Sequence, residues 1–287
     1  MALFKKKKDV ELEPEYYTSA TNQVLLNYKV HYLSKKEKTL WFIVAFIVGA
    51  VVAYLFYGGI GKDEYGDPTL TTHICNIVIM SIVGFVAGKF FLPIRNEQIL
   101  EKRRKELRKQ FIDLLDSLSA SIASGKNVPG AFMAAKQDLL IQYSEDSYII
   151  QEVDQIVNGI ANNISVESML VDLGNRSGIK DIKNFGKVFE TAYQKGGNIK
   201  DIVRNSHEIL SSKAQIEMEI ETKIASNKNE QNLMLFMPIL LIGMIKLAGE
   251  DFASNFTTPS GLVSTTIAII AFVVAYFVGK SVMKIEV

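Results

Sequence analysis

The chain has 287 residues, of which 48% are hydrophobic and 22% are charged, and its formal net charge is +1. Residues 95–231 contain 19 basic and 20 acidic side chains, so this region lacks the basic excess expected of a nucleic-acid-binding domain. The one cysteine, Cys75, excludes a disulfide framework or a cysteine zinc site within a single chain.

Four long apolar runs lie along the chain in two pairs. The first pair is centred on residues 40–57 and 74–88, and the second on residues 233–245 and 262–278. About 20 apolar helical residues are needed to cross the hydrocarbon core of a bilayer. The sequence therefore predicts four transmembrane helices, at residues 39–60, 73–93, 232–249 and 261–280.

The third run is the shortest, because Lys246 follows it. A lysine near a helix end can extend its ammonium group to the lipid headgroups, which keeps a span possible. Pro238 is expected to kink this helix or to lie at a break in it. A buried amphipathic helix is the alternative for a run of this length. Pro238 and Lys246 mark the expected coupling joint between this span and the region before it.

Basic residues flank the runs unevenly. Eight lysines precede the first run and a basic stretch from Arg95 follows the second, whereas Lys62 is the one cation between them. Lysine and arginine favour the cytoplasmic side of a membrane. The sequence predicts a multi-pass protein of the cell (inner) membrane, with the cytoplasm holding residues 1–38, 94–231 and 281–287 and the outside holding the loops 61–72 and 250–260. This orientation needs an even number of spans, which favours counting the third run.

Residues 94–231 show helical spacing of apolar side chains, as in Leu107, Phe111 and Leu114. Gly125 is expected to end the first helix, and Asn127 to cap the second. The predicted fold class is an all-α integral membrane protein in which two transmembrane hairpins flank a cytoplasmic six-helix antiparallel bundle. After the first helix, the predicted helices cover 128–140, 146–161, 165–175, 179–195 and the stretch from 199 toward the third run.

A weak repeat organises this region. Asparagine followed by a β-branched residue occurs at Asn127, Asn163 and Asn198, at each of which a helix is expected to begin after the end of the preceding one. The pattern predicts three helical hairpins in series. The sequence distance between these asparagines is similar to the repeat length of a tetratricopeptide-like array. However, the aromatic, alanine and proline signature of such an array is missing from this sequence.

The residues offer little that could perform chemistry. Neither glycine–lysine pair, at Gly61 or at Gly125, continues the pattern of a phosphate-binding loop, and the three histidines are scattered. Asp113 and Asp116 could bind a cation or a partner's arginine, although exposed polar residues of an amphipathic helix show the same spacing. We therefore expect no enzyme activity, no cofactor and no metal.

Two stretches resemble the type II secretion system F domain family. Residues 107–132, LRKQFIDLLDSLSASIASGKNVPGAF, are similar to its first helical hairpin, and residues 174–226 are similar to its remaining half. The external TTPSG at 257–261 resembles the B subtype of the Tad (Flp) pilus platform rather than the C subtype. The resemblance covers residues 95–287, with one copy of the domain where many members carry two, and residues 1–38 match nothing in the family.

The resemblance implies a platform protein in the inner or plasma membrane, part of a type IV (Tad/Flp-type) pilus or type II secretion machine. Such proteins couple a cytoplasmic hexameric secretion ATPase to extraction of pilin from the membrane and its addition to a filament. The expected partners are that ATPase, pilin, the lipid bilayer and a sister platform protein or a second copy, with no nucleic acid.

The first cytoplasmic helix and the turns between helices are the expected partner-binding surface, because charged side chains and exposed turns meet there. Lipid contact for the basic run, and ordinary turn geometry for the glycines, are the alternatives. A small transporter or channel, and a membrane enzyme or signalling protein, are the competing functions, although the sequence lacks their ionisable or nucleotide-binding sites. The residues of the expected surface are Arg103, Arg104, Arg108, Asp113, Asp116, Asn127, Gly196 and Gly197.

Overall fold

The computed structural model describes residues 13–18, 24–63, 67–248 and 255–282. About 81% of the described residues are helical, which confirms the predicted helical class. Parts of five predicted segments lie outside the described residues: 17 of the 38 residues of the N-terminal segment, three of the first loop, the last residue of the third span, five of the 11 residues of the second loop and five of the seven residues of the C-terminal tail.

Two short strands and eight helices lie in the described part of the chain. Between residues 124 and 198, each helix boundary lies within two residues of its predicted position. In chain order the elements are β1 Tyr16–Thr18, β2 Val24–Leu26, α1 Lys35–Tyr57, α2 Leu70–Ala123, α3 Val128–Gln142, α4 Tyr148–Ala161, α5 Val166–Ser177, α6 Lys180–Lys195, α7 Ile199–Ala248 and α8 Pro259–Val282.

The chain divides into two compact units. The helical unit consists of residues 1–32 and 96–215, and the apolar unit consists of residues 33–95 and 216–287. Helices α2 and α7 each contribute to both units without interruption of the helix. The stretch from residue 199 was predicted to continue toward the third run, which α7 does. Helix α2 continues through Pro93, which lies between its apolar run and the helical unit and removes one backbone donor without ending the helix.

Three helices in the described residues are long and apolar enough to cross a membrane. They are α1, the apolar part of α2, and residues 259–279 of α8. The remaining predicted span, 232–249, falls in α7, where the side chains of residues 235 and 247–249 lie outside the described part. A membrane protein is thus supported, and the fourth span stays a prediction.

Within the apolar unit, small residues allow α1 and α2 to pack closely. A Cβ added at Gly49 would lie 2.7 Å from the Cβ of Ala87, and one added at Gly84 would lie 2.9 Å from the carbonyl oxygen of Phe46. Membrane helices rely on such small-residue contacts, because lipid provides no hydrophobic drive for helix association. Glycine at these positions therefore permits the hairpin.

Residues 24–34 lead into α1 through an ordered cap. The Ser34 hydroxyl accepts the Glu37 backbone N–H at 3.3 Å, and the Glu37 carboxylate accepts the Ser34 N–H at 2.8 Å. This reciprocal pair satisfies two N–H groups that a helix start leaves without intrahelical partners. The first helix therefore begins at Lys35, ahead of the predicted span at residue 39.

The core of the helical unit is built from the apolar faces of α2 to α7. The Phe111 and Phe185 rings meet edge to face, with centroids 5.5 Å apart, and so tie α2 to α6. Burial of such side chains supplies about 1.5–3 kcal/mol each, which is the main source of stability for a bundle of this kind. The largest fully buried side chains are Tyr28, Phe111, Phe132, Phe189, Leu107, Leu114, Leu115, Leu118, Leu139, Ile149, Ile150 and Leu170.

The N-terminal segment departs from the helical pattern. Strands β1 and β2 pair antiparallel, with Tyr16 opposite Leu26 and Thr18 opposite Val24. The sequence predicts no structure for residues 1–38, because short strands contain too few alternations of apolar and polar residues to detect. This hairpin belongs to the helical unit.

Candidate partner interface

Arg103 and Arg104, two of the predicted partner-binding residues, contact the N-terminal segment of the same chain. Arg104 donates from Nε to the Tyr28 carbonyl at 2.9 Å and from Nη2 to the Lys29 carbonyl at 3.0 Å. Arg103 lies 3.6 Å from the Glu15 carboxylate, and its Nη2 lies 3.3 Å from His31 Nδ1. Both arginine side chains thus make contacts inside the helical unit.

Arg108 also has an internal role. Its Nε lies 2.9 Å from the Asp181 carboxylate at the start of α6, and Lys213 of α7 donates to the same carboxylate at 3.2 Å. One carboxylate therefore joins three helices. Because this carboxylate interacts with two cations and is partly shielded from water, its ion pairs should stabilise the fold more than an exposed ion pair does.

Asp113 and Asp116 lie near different partners and do not form one site. The Tyr143 hydroxyl donates to the Asp113 carboxylate, which ties the end of α3 to α2. Burial raises the pKa of the Tyr143 hydroxyl, and the bond to Asp113 raises it further. Asp116 is largely exposed and lies 3.7 Å from His207 of α7. Of this pair, Asp116 is the more accessible to a partner.

The predicted turn residues lie on exposed turns. The Asn127 side chain accepts the Gly130 backbone N–H at 3.0 Å, which confirms it as the cap of α3. Gly196 has a φ of +68°, a left-handed conformation that side chains rarely adopt, and it ends α6. A Cβ at Gly196 would meet nothing within 4 Å, so backbone conformation rather than crowding selects glycine there.

At the repeat residue Asn163, one of two predictions is confirmed. The helix predicted to end at residue 161 does end there, and a φ of +60° gives Asn163 the left-handed conformation just after α4. The repeat pattern also had Asn163 open the next helix, which begins only at Val166. The Ile164 N–H donates back to the Gly159 carbonyl at 2.9 Å, which closes that end. Ser165 then has extended backbone at the start of α5, although its side chain makes no capping bond.

Helices α2 and α7 run antiparallel within the helical unit. Their contacts move in opposite directions along the two sequences: His207 Nδ1 lies 3.4 Å from the Ile112 carbonyl, whereas Lys213 and Arg108 meet at Asp181. The same antiparallel pairing, continued to the helix ends, puts the start of α7 beside the end of α2. The turns at Asn127 and Gly196 therefore lie at one end of the unit.

Two further helix pairs show the same arrangement. Lys136 of α3 and Asp154 of α4 lie 2.8 Å apart, and a Cβ at Gly186 of α6 would lie 2.7 Å from the Leu170 carbonyl of α5. In each pair the second helix runs back along the first. The turn at Asn163 therefore lies at the same end of the unit as the turns at Asn127 and Gly196. We call this set the turn end, defined by Lys126–Val128, Asn162–Ile164 and Lys195–Lys200.

The predicted interface is therefore two sets of residues rather than one. Arg103 is 20 residues before the end of α2 at Ala123, which at 1.5 Å per residue is about 30 Å along the helix. The arginines lie nearer the apolar part of α2, and Asn127, Gly196 and Gly197 lie at the turn end. Sequence spacing alone could not separate them, because the separation depends on how the helices fold back.

In the apolar unit, α7 continues through Pro238 without a break, contrary to one of the two expected outcomes. Proline removes one backbone donor and crowds the preceding turn, but a helix can continue past it. Lys246 donates to the Gly58 carbonyl at 3.0 Å, at the end of α1 where carbonyls lack helical partners. Both proposed joint residues thus lie in a continuous helix.

A shallow apolar groove lies on α7 and α8 around Pro238. Its lining includes Met237, Leu241 and Phe272, with Glu230 at its edge. Among the described residues, no group of three or more histidine, cysteine, aspartate or glutamate side chains could hold a metal ion. The groove offers apolar surface and no set of groups suited to catalysis.

A buried ionic network is the most distinctive feature that sequence reasoning missed. Arg176 of α5 is 2% exposed and Glu152 of α4 is 4% exposed. They form two parallel bonds, from Nη1 to Oε1 at 2.7 Å and from Nη2 to Oε2 at 2.5 Å. The Tyr28 hydroxyl donates to the same Oε1 at 2.9 Å, and Arg176 Nε donates to Asp172 at 2.7 Å.

The electrostatics of this network favour the ion pair. Burial alone lowers the pKa of Arg176, but the hydrogen bonds and charge of Glu152 outweigh burial and raise it. Burial raises the pKa of the Tyr28 hydroxyl above the usual phenol range, and the Glu152 charge adds to that rise. The i, i+4 spacing of Asp172 and Arg176 was the one sequence signal for this network.

Comparisons with protein-family models, with curated proteins and with solved structures found no match to this chain. The secretion-platform resemblance therefore stays a prediction.

Proposed function

We propose that this chain is a membrane platform protein of a type IV (Tad/Flp-type) pilus or type II secretion machine. In this proposal it has four spans, both termini in the cytoplasm, and a cytoplasmic six-helix antiparallel bundle made by the helical unit. The observation that carries the proposal is that α2 and α7 each run unbroken from the helical unit into an apolar segment.

The proposed mechanism is mechanical. A hexameric secretion ATPase displaces the helical unit, and a continuous helix passes the displacement into a span without a flexible joint to absorb it. Movement of the spans then releases pilin from the bilayer and adds it to the filament base. The well-packed core supports this role, because close-packed interiors transmit strain.

We place the ATPase contact at the turn end. Three lysines there, Lys126, Lys195 and Lys200, are exposed. Like the turn residues Asn127, Gly196 and Gly197, they lie where α2 and α7 are farthest along the sequence from their apolar segments. Complementary charge promotes association and orients partners, so the ATPase should present an acidic surface.

Charge reversal tests this assignment. Lys126→Glu, Lys195→Glu and Lys200→Glu together should abolish co-purification of the ATPase from native membranes while the protein still inserts. Lys102→Glu and Lys109→Glu form the control, because these lysines are exposed on α2 away from the turn end. Equal ATPase recovery with both sets of variants would refute the turn end as the contact.

A further inference from the structure

The segment from Val24 to Tyr32 is fixed to the helices of its unit by two separate sets of bonds. On one side, the Tyr28 backbone N–H donates to the Arg176 carbonyl at 3.0 Å and its hydroxyl to Glu152 at 2.9 Å. On the other, Arg104 of α2 donates to the carbonyls of Tyr28 and Lys29. Backbone and side chain of one residue are thus held by three helices.

The ionic network is complete only when this segment is docked. Arg176 Nη1 donates to the Leu26 carbonyl at 3.2 Å as well as to Glu152. The Tyr28 side chain is 1% exposed and its ring meets the Tyr148 ring edge to face at 5.7 Å. Undocking would therefore uncover a buried charge pair and remove two of its hydrogen bonds, both of which are unfavourable.

We propose that residues 24–33 form a strap that ties α1 to the helical unit, with Tyr28, Glu152 and Arg176 as its lock. The helix α1 begins at Lys35, seven residues after Tyr28, and Ser34 caps it. Seven residues span at most about 25 Å when fully extended, which limits how far α1 can separate from Tyr28. The strap is thus a third connection, besides α2 and α7, through which displacement of the helical unit reaches a span. Its mechanical role rests on the proposed function, whereas its docking does not.

Docking is measured by labelling a buried cysteine in the strap. In a Cys75→Ser background, Leu25→Cys places a thiol at a position that is 9% exposed. Tyr28→Phe removes one hydrogen bond to a charged acceptor, and should speed maleimide labelling of this thiol on the order of tenfold. Tyr32→Phe is the matched control, because the Tyr32 hydroxyl bonds the Glu13 carbonyl at an exposed site, and it should leave the rate unchanged.

A second reporter separates undocking from unfolding. Ser121→Cys is nearly isosteric at a site that is 6% exposed on α2, far from the lock, and should stay protected in the Tyr28→Phe protein. If Tyr28→Phe unfolds the chain and exposes both thiols, Arg104→Gln takes its place, since it weakens the other side of the strap. Equal Leu25→Cys labelling in the Tyr28→Phe, Arg104→Gln and unsubstituted proteins would overturn the strap.

The mechanical role is measured separately. Tyr28→Phe should reduce filament assembly severalfold while ATPase co-purification is kept, since the turn end is unaltered. If Tyr28→Phe undocks the strap while filament assembly stays complete, the strap's coupling role is overturned and the platform proposal stands. If the ATPase does not co-purify with the unsubstituted protein, that result would instead count against the platform proposal and leave the docking result intact.

Discussion

The Glu152 carboxylate and the Arg176 guanidinium form a two-point ion pair between α4 and α5, with both side chains almost fully buried. Parallel bonds of this kind fix orientation as well as position, because the guanidinium fork matches the carboxylate geometry. The pair also receives the Tyr28 hydroxyl, so a chain segment over a hundred residues away in sequence completes it.

Breaking this pair from one side should be costly. Arg176→Ala leaves the Glu152 carboxylate buried without its cation, and we expect the free energy of unfolding to fall by about 3–5 kcal/mol. Denaturant unfolding of the full chain in detergent measures this. Lys136→Ala, which removes a half-exposed pair with Asp154, should cost no more than about 1 kcal/mol. Similar losses from the two variants would contradict the network's role.

Close backbone packing between α5 and α6 depends on Gly186. A Cβ there would lie 2.7 Å from the Leu170 carbonyl oxygen, which belongs to the backbone and cannot move aside easily. Gly186→Ala should therefore lower the free energy of unfolding by about 1–3 kcal/mol. Gly243→Ala in α7 is the matched control, since a Cβ there meets nothing within 4 Å; it should be neutral or stabilising.

The buried Tyr28 hydroxyl predicts alkaline sensitivity. Its folded pKa is raised, whereas an unfolded tyrosine titrates near pH 10, so the folded state holds the proton more tightly. Its contribution to stability is full below about pH 10 and is lost as the pH rises above that value. Unfolding measured from pH 9 upward should show a shallower decline for Tyr28→Phe than for Tyr32→Phe, and equal slopes would contradict burial of this hydroxyl.

The four spans that we propose would place both termini on the cytoplasmic side of the membrane. Reporter fusions at the C-terminus should therefore be active on the cytoplasmic side, and a reporter inserted in the loop at Lys62 should be active outside. A C-terminal reporter that is active outside would instead give three spans, with the apolar half of α7 lying against the protein rather than across the bilayer.

Local chemistry made much of the fold predictable. Gly125 and Gly196 mark the ends of two helices through their backbone conformation, and Asn127 marks the start of a helix through its capping side chain. Both effects act within a few residues. The apolar runs likewise predict membrane helices from the local sequence alone. The end of α4 before Asn163 was predicted, but the repeat pattern also placed this residue at the start of the next helix, because asparagine serves both as a helix start and as a left-handed helix end.

The candidate interface was less predictable, because it depends on long-range contacts. Arg103, Arg104 and Arg108 look like an exposed basic face in the sequence, yet their partners are the N-terminal segment and Asp181, more than 70 residues away in each case. Nothing in the spacing of a single helix shows which far segment will cover it. The turn residues kept their predicted exposure, since exposure there follows from the turn itself.

The most direct measurement follows pilin in cells that lack this chain. If the chain is the platform, its deletion should leave pilin in the inner-membrane fraction and remove it from the sheared filament fraction, with the ATPase still present. The unsubstituted chain should restore the filaments, and the triple Lys126→Glu, Lys195→Glu, Lys200→Glu variant should not. Unchanged filament and secreted-protein fractions after deletion would contradict the account.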